Sequence, residues 1–168
     1  MKKVVFSLLF STLITILSVN TGYAATWEWI NSDDETGYFF DSESIHYELK
    51  RDYADRVQSV DTKRITYWLK IIYTPKAAED LAEYFDDDRF RNVESSISLE
   101  TISLSEKTIT SYTLVFYDNG LRTVYSESDA GYVHKIIPES RDEEVFNKIR
   151  NYATEHSDLL TKNAYDEN

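Results

Sequence analysis

The stretch from Ile65 to Tyr73 constrains the fold most, because it alternates in the way a β-strand does. Every second residue in it is apolar, and Trp68 and Ile72 add apolar side chains to the opposite face. Period-2 alternation is typical of a strand, and apolar residues on both faces favour a position inside a sheet rather than at its edge. We therefore predict a central strand here.

Helix signals follow this strand and recur near the C-terminus. Thr74 is a candidate N-cap with Pro75 at the first helical position, and the residues after them have the apolar spacing of an amphipathic helix. Pro138 ends the last predicted strand. Ser140 then opens an S-x-x-E capping box, which predicts a C-terminal helix running to about residue 156.

Turn signals divide the remainder into strands. Residues 27–41 read as a hairpin around a polar turn, and Asp118-Asn119-Gly120 marks a second hairpin, because Asn-Gly tolerates the positive φ of tight turns. Residues 42–56 are charged and irregular. Further strands are predicted at 93–104 (as one strand or two), 108–117, 121–125 and 132–137. The fold class is α+β: an antiparallel sheet of about five or six strands, a C-terminal helix packed on it, and one inserted helix.

The N-terminus predicts export. Lys2 and Lys3 precede an apolar run, and the small residues at 22 and 24 place signal cleavage between Ala24 and Ala25. A membrane anchor is the alternative, but the run is shorter than about 20 residues and hydroxyl side chains interrupt it. No cysteine follows, so we expect no lipid anchor. We predict a signal peptide at 1–24, one exported α+β domain at 25–156, and a polar tail at 157–168.

Charge and composition limit the partners. The 168 residues carry a formal charge of −12, which argues against nucleic acid and against anionic lipid surfaces. Aromatic residues make up 14% of the chain, too much apolar mass for a disordered chain. Because the chain has no cysteine, stability outside the cytoplasm has to come from the core alone. We expect a monomer, since acid-rich edge strands discourage pairing between sheets.

No catalytic or cofactor motif is recognisable. The chain has no cysteine nucleophile and no G-x-S-x-G elbow, and we interpret His46, His134 and His156 as surface residues. Asn31, Asp33 and Glu35 have the spacing of a calcium loop, but the later positions of such a loop do not fit, so we interpret them as a turn. We predict no enzyme, metal or cofactor. A hydrolase using two carboxylates stays open as an alternative, and it requires a cleft with a carboxylate pair, one of raised pKa.

The three tryptophans allow two interpretations. In the first, Trp27 or Trp29, together with Trp68, fills the core of a cysteine-free sheet. In the second, they form a platform on which sugars or cationic groups stack. We prefer the first interpretation, and we expect truncation of a buried Trp68 to cost about 3–5 kcal/mol.

Several short motifs together resemble the bacterial surface-adhesin protein E family. The N-terminal part of the resemblance is Trp29, a polar turn, an aromatic run ending in Asp41, and a Ser-Ile step. The strand containing Trp68 and the Ile-Pro-x-Ser step of Pro138 and Ser140 complete it. The resemblance covers most of residues 27–153. It implies an antiparallel sheet with a packed C-terminal helix, and no enzyme.

The family is named for a member that attaches bacteria to host matrix proteins and epithelium. The resemblance therefore implies an exported, non-catalytic binding module for a protein partner, either a host protein or one of the cell envelope. A periplasmic or envelope structural or assembly role is the alternative. The family's cysteine pair and lipidated cysteine are missing, residues 46–64 and 75–92 look like insertions, and nothing matches the adhesive basic segments. The fold thus carries over better than the binding activity, and the ligand-binding residues stay unassigned.

Overall fold

The computed structural model describes residues 25–166, the side chains of 129 and 130 excepted, and within them the chain has the predicted α+β fold. The predicted signal peptide lies outside the described residues. The strands are β1 Trp27–Ser32, β2 Thr36–Asp41, β3 His46–Arg51, β4 Val57–Tyr73, β5 Val93–Ser103, β6 Thr108–Asp118 and β7 Thr123–Lys135. The helices are α1 Pro75–Phe85, α2 Arg141–Glu155 and α3 Ser157–Asp166, with a 3₁₀ turn at Asp88–Asn92.

All described strands belong to one antiparallel sheet in the order β1-β2-β4-β5-β6-β7. β4 is the central strand: β5 pairs with one of its edges, and β2 and β3 pair with different parts of the other edge. The prediction of a central strand is therefore confirmed. The sheet has seven strands. β3 lies in the charged stretch that we interpreted as irregular, and the strands predicted at 121–125 and 132–137 form one strand, β7.

The first turn is held by a side chain. The Asp33 carboxylate accepts hydrogen bonds from the backbone N–H groups of Glu35 (2.8 Å) and Thr36 (2.7 Å). Arg141 on α2 binds the same carboxylate and holds its pKa below the usual range, together with those amides. Asp33 thus stabilises the turn between β1 and β2, as the interpretation of this segment as a turn predicted.

The hairpin between β6 and β7 is confirmed, but its strained position is not the predicted one. Positive φ falls on Leu121 (59°), and neither Asn119 nor Gly120 has it. The Asp118 carboxylate accepts from the backbone N–H of Gly120 (2.8 Å) and of Arg122 (3.0 Å). These bonds close a loop that is longer than a two-residue turn, which moves the left-handed residue to its end.

Both predicted helix starts are confirmed. The Thr74 side chain accepts from the backbone N–H of Ala77 (3.3 Å), and Pro75 is the first residue of α1. The Ser140 side chain accepts from Glu143 N–H (3.3 Å). The Glu143 carboxylate returns a bond to the N–H of Glu139 (2.8 Å) instead of Ser140, so the capping box is shifted by one residue on that side.

The predicted polar tail is wrong, because residues 157–166 form helix α3. Leu160 and Ala164 are fully buried, and the Asn163 side-chain amide donates to the carbonyl oxygens of Glu43 (2.9 Å) and Ile45 (3.0 Å). A polar sequence with three buried positions at helical spacing is therefore enough to dock α3 against the start of β3.

Both hydrophobic clusters lie on the same face of the sheet. The larger cluster joins α2 and α3 to alternate residues of β4, among them Ile65, Tyr67 and Leu69. The smaller one joins α1 and the 3₁₀ turn to Phe116 of β6. Phe116 pairs through Ser96 with Ile71, so it shares the face of the larger cluster. We call this the covered face.

Candidate interaction face

The opposite face of the sheet carries no packed helix within the described residues. Side chains alternate between the two faces of a strand, so the neighbours of the core residues point away from the helices. We call this surface the open face. It is defined by nine residues: Trp27, Trp29, Phe39, Trp68, Lys70, Ile72, Ile97, Leu99 and Val115.

Strand register aligns five of these side chains in one row across the sheet. Each residue of the row is the register partner of the next on the adjacent strand. The row is Trp29, Phe39, Lys70, Ile97 and Val115. With about 4.8 Å between strands, it is about 19 Å long. A second row pairs Trp68 with Leu99, so the open face is a continuous apolar surface rather than a set of isolated contacts.

All three tryptophans lie on the open face, so the interpretation of Trp27, Trp29 or Trp68 as core residues is wrong. Trp29 is 57% exposed, while Trp27 and Trp68 are half-buried among their neighbours. The Lys70 ammonium stands 5.4 Å from the ring centroid of Trp27, a cation–π contact across two strands. Ile72 is 40% exposed at the far end of the same face. The packing core is instead made by Phe, Tyr and aliphatic residues on the covered face.

None of the nine residues that define the open face is acidic, although the chain carries 30 acidic residues. On the same side of the sheet, the register places Asp41 opposite Trp27, and the ion pair of Glu48 with Arg64 lies at the margin. Lys70 is the one charged member of the nine. It has no carboxylate within 4.0 Å among residues 25–166, and its contact is the Trp27 ring. Hydroxyl side chains such as Thr113, Ser126 and Ser128 continue the rows toward β7. An apolar, nearly neutral surface on an acidic molecule is typical of an interaction site.

The two carboxylates on the same side of the sheet, Asp41 and Glu48, are already bonded within the protein. Asp41 is buried, and its side chain accepts from the backbone N–H groups of Thr26 (2.9 Å) and Glu43 (3.2 Å). Glu48 forms an ion pair with Arg64 and accepts from the Thr101 hydroxyl at 3.2 Å. Asp41 therefore fastens the end of β2, and neither carboxylate adds free negative charge to the open face.

The carboxylate with a raised pKa lies in the core of the covered face. Burial raises the pKa of Glu100, which accepts hydrogen bonds from the hydroxyls of Tyr67 (2.7 Å) and Ser98 (3.0 Å). Asp142 at the start of α2 raises it further and is itself bonded to His134 at 3.0 Å. A catalytic pair has to reach its substrate, and Glu100 is 8% exposed. This arrangement fits a buried polar contact in the core.

The remaining predicted site residues lie away from the open face. Ala24 lies outside the described residues, and Ala25 is exposed just before β1. Pro138 is exposed between β7 and α2, and Ser140 caps α2. None of these belongs to the open face.

The histidines do not converge on one site. His46 bonds the Ser44 carbonyl (2.8 Å), and His156 caps the end of α2, where the sequence places it. His134 is half-buried rather than exposed, because Asp142 of α2 packs against it. The open face was missed from the sequence because alternation does not say which of two apolar faces the helices will cover.

Comparisons with known proteins give limited information. No protein-family model and no curated protein matches the chain. Among solved structures, the chain is similar to the crystal structure of protein E from non-typeable Haemophilus influenzae, with a TM-score of 0.40 and 10% sequence identity over 88% of this chain and 92% of that one. A similarity of this size does not establish membership of the family.

The helices are not membrane spans. Within residues 25–166, none has both the length and the apolar character needed to cross a bilayer.

Proposed function

We propose that this chain is a non-catalytic, exported, adhesin-like binding module that docks a protein partner on its open face. The observation that carries the proposal is the placement of all three tryptophans on the one face that the described helices leave uncovered. Large aromatic side chains are enriched at protein interfaces, where they supply most of the binding energy.

The charge distribution of the protein favours a partner whose surface has an apolar patch surrounded by basic residues. The open face has an apolar centre with one cation, and the whole chain carries −12. An interface of this kind is complementary to an apolar patch that is surrounded by basic residues, because the acidic remainder of the molecule then attracts the partner's rim. The centre of the open face holds no acid, and Asp41 and Glu48 on the same side are already bonded, so docking there buries no unpaired carboxylate.

The test is binding of the purified protein to a panel of host matrix proteins and envelope proteins, measured by surface plasmon resonance at physiological salt. The Trp29→Ala variant should lose at least about ten-fold in affinity, as an interface hot spot does. Tyr53→Ala is the matched control, because Tyr53 is also an exposed aromatic residue but lies in the turn between β3 and β4.

Both variants should keep the melting temperature of the unchanged protein, since both side chains are largely exposed. Binding that survives Trp29→Ala, or that is lost equally in Tyr53→Ala, would contradict the proposal. The absence of binding to every protein of the panel would count against a matrix partner.

A further inference from the structure

A depression of about 390 Å³ lies between β6 and β7, within the size range of small-molecule sites. None of the nine residues that define the open face lines it, and Thr113 is the one lining residue that continues a row of that face. They are Ser111, Tyr112, Thr113, Leu114, Glu127 and Tyr132.

A bulge in the strand pair creates this depression. Ser111 pairs with Tyr132 and Leu114 pairs with Glu127, but the register shifts between Ser111 and Thr113. A bulge bends its strand and interrupts the hydrogen-bond ladder, so it opens room between side chains that a regular pair would fill. The depression is thus built into the backbone of the sheet.

Its lining is aromatic and acidic. Tyr112 and Tyr132 supply two rings, Leu114 supplies an apolar side chain, and Glu127 supplies one carboxylate. Tyr132 is 66% exposed and stacks on His134 with 5.8 Å between ring centroids. No lysine or arginine is among the lining residues, and Glu127 forms no ion pair with any described residue.

Glu127 is held in place without being neutralised. One of its oxygens accepts a hydrogen bond from the Tyr125 hydroxyl at 3.2 Å. The nearby carboxylate raises the pKa of Tyr125, as expected where negative charge is not balanced by a cation. The other oxygen has no hydrogen-bond partner among the described side chains and backbone groups, so it is available to a ligand.

We propose that this depression binds a small organic cation, a quaternary ammonium or a protonated amine. Aromatic faces attract such cations, and a carboxylate beside them adds a charge of the opposite sign. The net charge of −12 raises the local concentration of any cation near the protein. The site shares none of the nine residues of the partner-docking surface and does not depend on it.

The test compares choline with its neutral isostere 3,3-dimethyl-1-butanol, titrated into ¹⁵N-labelled protein and followed by amide chemical shifts. The two probes have the same shape, so their difference reports the charge. Choline should shift the amides of β6 and β7 near Ser111 and Glu127 saturably. The isostere should bind about five-fold more weakly or not at all.

Two variants locate the binding. Glu127→Gln should weaken choline binding about five-fold, and Tyr132→Leu should weaken it by a similar factor, which is the size expected of a cation–π contact. Glu94→Gln is the control, because it removes the same charge from an exposed position on β5. All three positions are exposed, so the variants should stay folded, and unchanged spectra elsewhere will check this.

Three outcomes would overturn the proposal. Equal affinity for the isostere would make the depression an apolar site only. Equal weakening by Glu94→Gln would reduce the effect to general attraction by an acidic protein. The absence of a saturable shift at high millimolar choline would show that no such site exists.

Discussion

Glu100 is a buried carboxyl group whose surroundings raise its pKa. Its carboxyl group lies under α2, bonded to Tyr67 and Ser98, and burial raises its pKa above the ordinary value of 4.5. A carboxyl of raised pKa stabilises the folded state below its unfolded pKa, and that contribution is lost as the pH rises through the folded pKa. This side chain therefore makes the protein less stable near neutrality than in mild acid.

Replacement of Glu100 by Gln should remove this pH dependence. Gln keeps the shape and accepts the same Tyr67 hydroxyl, but it cannot ionise. The melting temperature of Glu100→Gln relative to the unchanged protein should therefore increase between pH 4.5 and pH 8, as measured by calorimetry. A difference that stays constant, or that falls with rising pH, would mean that Glu100 is not buried as described.

Trp68 lies on the open face, so its truncation should cost less than that of a core residue. It is half-buried beside Leu99, and Trp68→Ala should lower the free energy of unfolding by about 2 kcal/mol in urea, below the range for fully buried aromatic residues. Tyr84→Ala, which truncates a largely exposed ring on α1, should cost close to nothing. A loss as large as that of a core tryptophan would place Trp68 under a covering element.

At the level of elements, the sequence predicted those features that a few neighbouring residues determine. The caps of α1 and α2, the hairpin turns and the alternation of β4 are each set by a few neighbouring residues, and the structure confirms them. β3 and α3 were missed because their sequences are polar. They form through distant partners: β3 pairs with the first half of β4, and α3 packs on β3.

The docking of α3 should depend on Asn163. Its amide donates to two carbonyl oxygens ahead of β3, and Asn163→Ala leaves both without that partner. We expect a loss of about 1–3 kcal/mol in the free energy of unfolding. Asn151→Ala is the matched control, because Asn151 is exposed on α2, and it should have little effect. Equal effects of the two substitutions would contradict the role given to Asn163.

For the whole molecule, the main feature is the separation of apolar surface and charge. Three helices cover one face of a seven-stranded sheet, and the other face keeps its tryptophans at the surface. The sequence shows that both faces of β4 are apolar, but the choice of the covered face depends on how α1, α2 and α3 return to the sheet. Long-range packing of this kind leaves no local signal, which is why the open face could not be predicted.

The negative charge around the apolar face also leads us to predict how salt affects the rate of association. An acidic molecule that meets a partner with a basic rim should associate faster at low salt, because long-range attraction steers the encounter. Once the binding panel identifies the partner, the association rate should fall as salt rises. The dissociation rate should change little, since the centre of the contact is apolar. A salt-independent association rate would contradict the expected basic rim.

The central claim is that the open face docks a protein partner, and site-specific photocross-linking tests it most directly. A benzophenone amino acid replaces Trp29 in the producing cell, and Tyr53 is replaced in a parallel strain as the control. Docking on the open face predicts a discrete adduct from position 29 and none from position 53. Mass spectrometry of that adduct will show whether the partner belongs to the host or the envelope. No adduct from position 29, or the same adducts from both positions, would contradict the central claim.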